Sequence, residues 1–208
     1  MNCLQTNDIN DRLYWGIMGS NYCKNLAYDH CIFSRFDAHM GVANASIRNS
    51  TLGHMGINAI GTGILTVENC SIRGRTLINL RSDYGSTWRG EFIIRNCNFV
   101  PSGGRTASAS LIGGSNSGQH DFGYTCYMPE RITIENLHID DSSHPDGYQG
   151  PAIFANINPH MADESYKEKF PYVITREVIL RNVSTASGKG LRVSDNLFMF
   201  KDVDIDSD

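Results

Sequence analysis

The sequence predicts an all-β solenoid, in which the chain winds one coil per repeat and stacks like strands into parallel sheets. A short segment pattern recurs along the chain, and apolar residues alternate with period 2 on both sides of a polar corner in each copy. Where no insertion intervenes, consecutive corners lie 19 or 20 residues apart, a period typical of a stacked coil. The corner column is His30, Asn49, Asn69, Asn96, Asn136, Asn182 and Asp202.

The strand before each corner is predicted from two apolar columns. Four residues ahead of the corner lie Leu26, Ala45, Leu65, Phe92, Ile132, Val178 and Phe198. Two residues ahead lie Tyr28, Ile47, Val67, Ile94, Ile134, Leu180 and Phe200. Apolar residues two apart share one face of a strand, whereas a helix would need them three and four apart.

A second short strand follows each corner, because the positions one and three residues later are again mostly apolar, as in Cys70 and Ile72. Asparagine suits the corner because it tolerates the left-handed backbone conformation. The residue just before the corner alternates in charge from copy to copy, apart from the last pair, which predicts stacked neighbours of opposite sign. These residues are Asp29, Arg48, Glu68, Arg95, Glu135, Arg181 and Lys201.

With this asparagine ladder, the chain resembles the right-handed parallel β-helix superfamily, the pectate-lyase-like solenoids, over roughly residues 26–205. The resemblance implies one single-stranded right-handed β-helix domain over residues 1–208, with about seven coils, three parallel sheets and long loops on one face. The superfamily includes lyases, hydrolases, esterases, phage tail spikes and adhesins, so it implies an architecture rather than one activity. It favours an extracellular or cell-surface location.

The two ends predict a piece of a longer protein. Residues 15–20 look like a strand that begins partway through a coil, and the chain stops three residues after Ile205. Solenoids need polar caps to protect their terminal coils, and neither end supplies one. We therefore expect the ends to be covered by further chain or by self-association.

Several partners and groups are not expected. Lys and Arg number 18 against 22 Asp and Glu, a formal net charge of −4 without a basic run, which argues against nucleic acid. The apolar stretches are too short to span a membrane. Cys31, Cys70 and Cys97 share an inward column and are expected to be buried free thiols; a disulfide between Cys70 and Cys97 would strain the geometry. No CxxC and no nucleotide fingerprint occurs, so we expect neither a metal nor a cofactor.

The third sheet is assigned to the segments DAHMG, INAIG, LINLRS, ASLIGG, AIFANI and LRVSD, which lie between repeats. In the enzymes of the superfamily that the chain resembles, the outward face of this sheet carries the substrate cleft. Loops of growing length follow this strand on consecutive coils, and insertions gathered on one side of a solenoid indicate its working face. They would wall a groove over Asn58, Asn79 and Arg81. The alternative is that the loops bind no ligand.

Residues of these loops suit a polysaccharide, because flat aromatic faces stack on sugar rings and polar groups bind hydroxyls. The predicted binding residues are Asn58, Asn79, Tyr84, Trp88, Arg89, Tyr124, His144, Asp146 and Tyr148, and the predicted catalytic residues are Arg81, Asp83, His120 and Asp121.

Two reactions remain open. A lyase needs a base and a group that stabilises the enolate, which His120 or Tyr84 together with Arg81 would supply, unless Arg81 only forms a surface ion pair with Asp83. A hydrolase needs two carboxyl groups, for which Asp140 with Asp141, or Asp121 with Asp146, are candidates.

The sequence thus predicts a carbohydrate-active β-helix, a polysaccharide lyase or glycoside hydrolase. The alternative is a non-catalytic β-helix of a tail spike, an adhesin or a glycan-binding module.

Overall fold

The computed structural model describes residues 2–13, 19–81, 87–102, 109–114, 126–155, 172–194 and 200–208. These residues form strands and connecting loops without a helix, and every strand pairing among them is parallel. One sheet contains 15 strands and a second contains two. The predictions of an all-β chain and of parallel stacking are confirmed. Within these ranges, no helix has the length and apolar character that crossing a membrane requires.

The strands are short except where one runs through a corner. Their bounds are β1 Gly19–Asn21, β2 Lys24–Asp29, β3 Ile32–Phe33, β4 Phe36–Arg48, β5 Thr51–Leu52, β6 Ile57–Glu68, β7 Ser71–Gly74, β8 Thr76–Leu80, β9 Trp88–Pro101, β10 Ser110–Gly113, β11 Cys126–Tyr127, β12 Arg131–Ile139, β13 Ala152–Phe154, β14 Tyr172–Val173, β15 Glu177–Thr185, β16 Arg192–Ser194 and β17 Asp204–Ser207.

Three stacks of parallel strands follow from these pairings. The first stack runs through β1, the start of β4, the start of β6, β8, β10, β13 and β16. The second stack joins β2 to the later parts of β4 and β6, and then β9, β12, β15 and β17. The third stack contains β3, β5 and β7, and then the ends of β9, β12 and β15. Each pass through the three stacks is one coil.

The corner between the second and third stacks is the predicted asparagine column. Its φ values lie between 50° and 55° at His30, Asn49, Asn69, Asn96, Asn136 and Asn182. Side-chain amides bond from coil to coil: the Nδ2 of Asn182 donates to Asn136 Oδ1 at 2.9 Å, and the Nδ2 of Asn136 donates to Asn96 Oδ1 at 2.9 Å. The left-handed turn and the ladder confirm six of the seven predicted corners.

The seventh predicted corner, Asp202, is wrong. Ile205 pairs with Val178, four residues ahead of the Asn182 corner, so β17 belongs to the second stack rather than the third. Asp202 also lacks the positive φ of the other corners. The period-2 pattern is the same on both sides of a corner, so the sequence of β17 fits either the second or the third stack. In the observed register, Arg181 Nη2 lies 2.5 Å from Asp206 Oδ2.

The core is a narrow stack of apolar columns inside the coils. Ile47, Val67, Ile94 and Ile134 are opposite one another in adjacent strands and are fully buried. The predicted burial of Cys31, Cys70 and Cys97 is confirmed, and all three are free thiols. The hydrogen bond between the Cys70 and Cys97 side chains, together with burial, raises the pKa of Cys97, which makes that thiol unreactive.

Replacing Asn69 by alanine is expected to lower the free energy of unfolding by about 1 to 2 kcal/mol. Alanine has a Cβ that is crowded in the left-handed conformation, and it lacks the amide group that stabilises asparagine there. The φ of Asn69 is 54°, and its Nδ2 donates to Asn49 Oδ1 at 3.2 Å. Chemical denaturation measures the effect. Asn98→Ala, at an exposed position of β9, is the control, and Asn69→Gly should recover most of the loss. Equal stability of Asn69→Ala and Asn98→Ala would show that the corner stores no strain.

Candidate functional site

A column of polar side chains lies on the outer face of the first stack. Asp37 is opposite Asn58, and Asn58 is opposite Asn79, on three consecutive coils. In each strand the residues on either side of the column, such as Ile57 and Ala59, are fully buried in the core. Because successive side chains of a strand point to opposite faces, this column faces away from the core.

The two asparagines of the column are held rigidly. The Nδ2 of Asn79 donates to Asn58 Oδ1 at 2.9 Å, and the Nδ2 of Asn58 donates to the carbonyl oxygen of Met55 at 3.0 Å. The side chain of Asn79 is half-buried. Such preorganised amides suit hydroxyl groups, since they donate and accept without rearranging.

Two arginines converge on the carboxylate at one end of this column. Arg81 Nη1 lies 3.1 Å from Asp37 Oδ1 and 3.2 Å from Oδ2, and Arg35 Nη2 lies 2.9 Å from Oδ2. Asp37 is only 3% exposed, whereas the side chains of Arg81 and Arg35 are 22% and 17% exposed. We call Asp37, Asn58, Asn79, Arg35 and Arg81 the polar floor.

The polar floor places two cationic side chains around a buried carboxylate. Both guanidinium groups contact Asp37. Burying a carboxylate costs several kcal/mol, and ion pairing only offsets that cost. A buried ionic cluster is therefore weak evidence for stability.

The structure brings together three of the residues predicted for the groove floor, Asn58, Asn79 and Arg81. The guanidinium of Arg81 pairs with Asp37, 44 positions away in the sequence. Asp37 and Arg35 were not predicted as site residues. Aligning DAHMG with INAIG and LINLRS would have indicated Asp37, since it occupies the same strand position as the two asparagines. Arg35 lies in a loop and carries no such signal.

Five predicted wall residues lie outside the described residues, namely Asp83, Tyr84, His120, Asp121 and Tyr124. Their roles as catalytic and binding residues stay predictions.

Trp88 does not offer a face to a sugar, in contrast to the sequence prediction. The side chain is 0% exposed, and its Nε1 donates to the carbonyl oxygen of Gly63 at 3.1 Å. The ring packs 5.5 Å from the ring of Phe92. Trp88 begins β9 opposite Gly61, so the absence of a side chain on the neighbouring coil leaves the space that the indole fills. Its role is in packing.

Arg89, the next residue, is exposed, and its role as a binding residue stays a prediction. Its guanidinium carbon lies 5.5 Å from the centroid of the Tyr127 ring. This cation–π contact orders both side chains at the surface, where it contributes about 0.5 to 1 kcal/mol.

The loop between β12 and β13 contains three further predicted binding residues. Tyr148 is buried and its ring stacks on His144 at 4.2 Å between centroids, so Tyr148 does not present a ring face to solvent either. Burial, and then the nearby carboxylate of Asp141, raise the pKa of Tyr148. Asp146 is exposed. This loop precedes β13 whereas Arg81 follows β8, so in a parallel sheet the two lie at opposite ends of the strands.

The carboxylates considered for hydrolysis in this loop are engaged in local structure. Asp141 is buried and accepts hydrogen bonds from the backbone N–H and the hydroxyl of Ser187, both at 2.7 Å. Asp140 accepts from the hydroxyl of Ser142 at 2.6 Å, and this bond lowers the pKa of Asp140. Asp141 thus fixes the loop to the next coil and Asp140 fixes the turn within the loop, which leaves both carboxylates poorly suited to transfer protons to a substrate.

Within the described part of the chain, no group of three or more His, Cys, Asp or Glu side chains is arranged to hold a metal ion.

Comparison with known proteins gives one informative relative. A depolymerase specific for the KL64 capsule, from a Klebsiella phage, is 28% identical over 120 residues. The match covers 47% of this chain and 12% of the relative, so this chain spans only a small part of that protein's length. No protein family model and no solved structure matches the chain. The similarity and the all-strand parallel sheet are together compatible with a β-helix.

Proposed function

We propose that this chain is the polysaccharide-binding and polysaccharide-cleaving β-helix of a capsule depolymerase of the phage tail-spike type, and that its substrate lies over the polar floor. The observation that carries the proposal is the cluster of Asp37, Arg35 and Arg81 beside the Asn58–Asn79 ladder, on the outer face of one stack of coils. The similarity to a capsule depolymerase supports a polysaccharide as the ligand. The two guanidinium groups of the cluster favour an anionic sugar such as a uronate, because arginine binds carboxylates well.

Elimination is the reaction that this floor supports best. A lyase must neutralise the uronate carboxylate and stabilise the charge that develops when the neighbouring proton is removed. Arg81 is proposed for both roles, because Asp37 fixes its guanidinium and the side chain is 22% exposed. We propose His120 or Tyr84 as the base. Hydrolysis needs two carboxyl groups about 5 to 9.5 Å apart, and the described floor has one, which is ion-paired twice.

The finer assignment of the fold belongs to the same proposal. We propose that the coils wind in the right-handed sense and that the chain is a member of the pectate-lyase-like solenoids. The parallel pairing of every stack and the left-handed asparagine corners support this proposal.

The test is the conversion of Arg81 to glutamine, assayed on a panel of anionic and neutral bacterial capsule polysaccharides. Absorbance near 235 nm reports unsaturated products and a reducing-end assay reports all cleavage. We expect wild-type protein to give both signals on an anionic capsule, and Arg81→Gln to lose about 100-fold in rate, as removal of one charge-stabilising group does elsewhere.

Arg131→Gln is the matched control, because Arg131 is also ion-paired at the surface but lies on the second stack, against Glu91 and Glu177. If the reducing-end assay reported cleavage without absorbance near 235 nm, the reaction would be hydrolysis rather than elimination. Equal activity of Arg81→Gln and Arg131→Gln would contradict the assignment of the floor.

A second candidate is a tail-spike β-helix that binds the capsule without cleaving it. The observation in its favour is that the carboxylate of the described floor is committed to two arginines. Retention of the polysaccharide on immobilised protein, lost in Arg81→Gln, without products in either assay, would identify this function.

A further inference from the structure

A second concave site lies away from the polar floor, on the outer face of the second stack. It has a volume of about 350 Å³ and spans three neighbouring coils, β2, β4 and β6. We call it the neutral pocket. Its lining residues are Asn25, Leu26, Asn44, Ala45, Ser46, Ile64 and Thr66.

Two columns of outward side chains form the walls of the neutral pocket. Asn25 and Asn44 occupy one strand position on adjacent coils, and Ile64 lies beside Asn44 on the next coil, where the register shifts. Ser46 and Thr66 are opposite each other two residues further along. Positions two apart on a strand are separated by about 7 Å, with backbone between them as the floor. On the next coil Glu91 and Ile93 are opposite Ile64 and Thr66, and neither of them lines the pocket.

The asparagine wall is fixed before any ligand arrives. Asn25 and Asn44 have φ values of 58° and 60°, and the Nδ2 of Asn44 donates to Asn25 Oδ1 at 3.1 Å. The backbone N–H of Ile64 donates to Asn44 Oδ1 at 3.0 Å. A Cβ at Gly63 would lie only 2.2 Å from that oxygen, so glycine is required there for the amide to take its place.

The chemistry of the walls defines the ligand. The Nδ2 group of Asn25 and the hydroxyls of Ser46 and Thr66 supply donors and acceptors, and none of the lining residues is ionisable. Ile64 is 44% exposed, an unusual exposure for a large apolar side chain, and its flank suits the C–H face of a pyranose ring. A ligand with several hydroxyls, an apolar face and no charge matches this set.

We infer that the neutral pocket binds a neutral hexopyranose unit of a glycan, at a site separate from the polar floor and without a part in cleavage. The contrast in charge supports the separation, since the floor gathers three ionised groups and the pocket gathers none. The pocket is shallow and offers few partners, so the expected dissociation constant is in the millimolar range.

The experiment is a titration of the full ¹⁵N-labelled chain with the methyl glycosides of glucose, galactose and mannose, with glucuronate as the charged comparison. The side-chain amide signals of Asn25 and Asn44 report directly on the pocket. At least one neutral glycoside is expected to shift them in a saturable manner, and glucuronate is expected to bind more weakly. The inference would be overturned if none of the three neutral glycosides gave saturable shifts, or if glucuronate bound as strongly as they do.

Thr66→Val removes one hydroxyl while keeping the side-chain shape, and combined with Ser46→Ala it should weaken binding about tenfold. Thr133→Val is the matched control, because Thr133 occupies the same column two coils further on, beyond Ile93. Cleavage of capsule should be unchanged in all these variants, and binding of the glycoside should be unchanged in Arg81→Gln. The proposal for the polar floor and the proposal for the neutral pocket can therefore be contradicted independently of each other.

A loss of binding in Thr133→Val equal to that in Thr66→Val would overturn the assignment of the pocket. Sedimentation velocity adds an independent check. If the pocket instead forms a contact between two copies of the chain, Thr66→Val alters the sedimentation coefficient, and that result also overturns the inference.

Discussion

Replacing Asp37 by alanine is expected to lower the free energy of unfolding by about 2 to 4 kcal/mol and to abolish polysaccharide cleavage. Removing one partner of a buried ion pair leaves the other charge uncompensated, which costs about 3 to 5 kcal/mol when both groups are fully buried. The value here is lower because Arg35 and Arg81 retain some exposure. Thermal and chemical denaturation measure the stability, and the two product assays measure the function.

Two further variants separate the stability of the floor from its function. Asp37→Asn keeps the shape and two polar atoms, so it should recover part of the stability while the orientation of Arg81 remains weakened. Asp29→Ala is the control, since Asp29 is an exposed carboxylate in the charged row of the second stack. If Asp37→Ala were as stable as Asp29→Ala and fully active, the buried cluster would serve neither folding nor catalysis.

The second large effect is expected from Trp88→Ala, which should lower the free energy of unfolding by about 3 to 5 kcal/mol through the cavity that it leaves. The indole fills a space that no neighbour can enter, because Gly61 opposite it has no side chain and a Cβ there would approach the ring to 2.8 Å. The hydrogen bond to the carbonyl oxygen of Gly63 would also be lost.

Trp88→Phe should recover more than half of the free energy of unfolding that Trp88→Ala loses, because phenylalanine keeps most of the buried apolar area but not the N–H. Arg89→Ala, one residue further along the same strand and exposed, is the control for changes in the strand itself. Chemical denaturation compares the three variants. A loss of less than about 1 kcal/mol in Trp88→Ala would mean that the neighbouring coils collapse around the site.

The corner column was predictable because few residues tolerate a left-handed turn. Asparagine at a fixed place between alternating apolar residues indicates both the turn and the stacking, and the structure follows this pattern at six positions. A second left-handed column, Asn25, Asn44, Gly63 and Gly90, was missed, although it lies five or six residues ahead of the first four corners. The signal was present but divided between two residue types.

The polar floor was only partly predictable. Strand alignment places Asn58 and Asn79 on one face, since their position follows from the period of the strand. The pairing of Arg81 with Asp37 depends on how far a long side chain reaches across two coils, which no spacing in the sequence encodes. The burial of Trp88 and Tyr148 was not evident from the sequence either. An aromatic residue in a segment predicted to be a loop can lie beside a sugar or pack beneath a neighbouring coil, and the sequence pattern is the same in both cases.

Successive corners lie 27, 40 and 46 residues apart between Asn69 and Asn182, yet β6, β9, β12 and β15 remain paired residue for residue. Extra sequence between the corners thus leaves the register of these strands undisturbed. A scaffold of this kind allows the segments between strands to change in length and sequence while the paired spine is inherited intact. Under the proposed function, exchanging those segments with ones from a relative of another specificity is a practical route to retargeting.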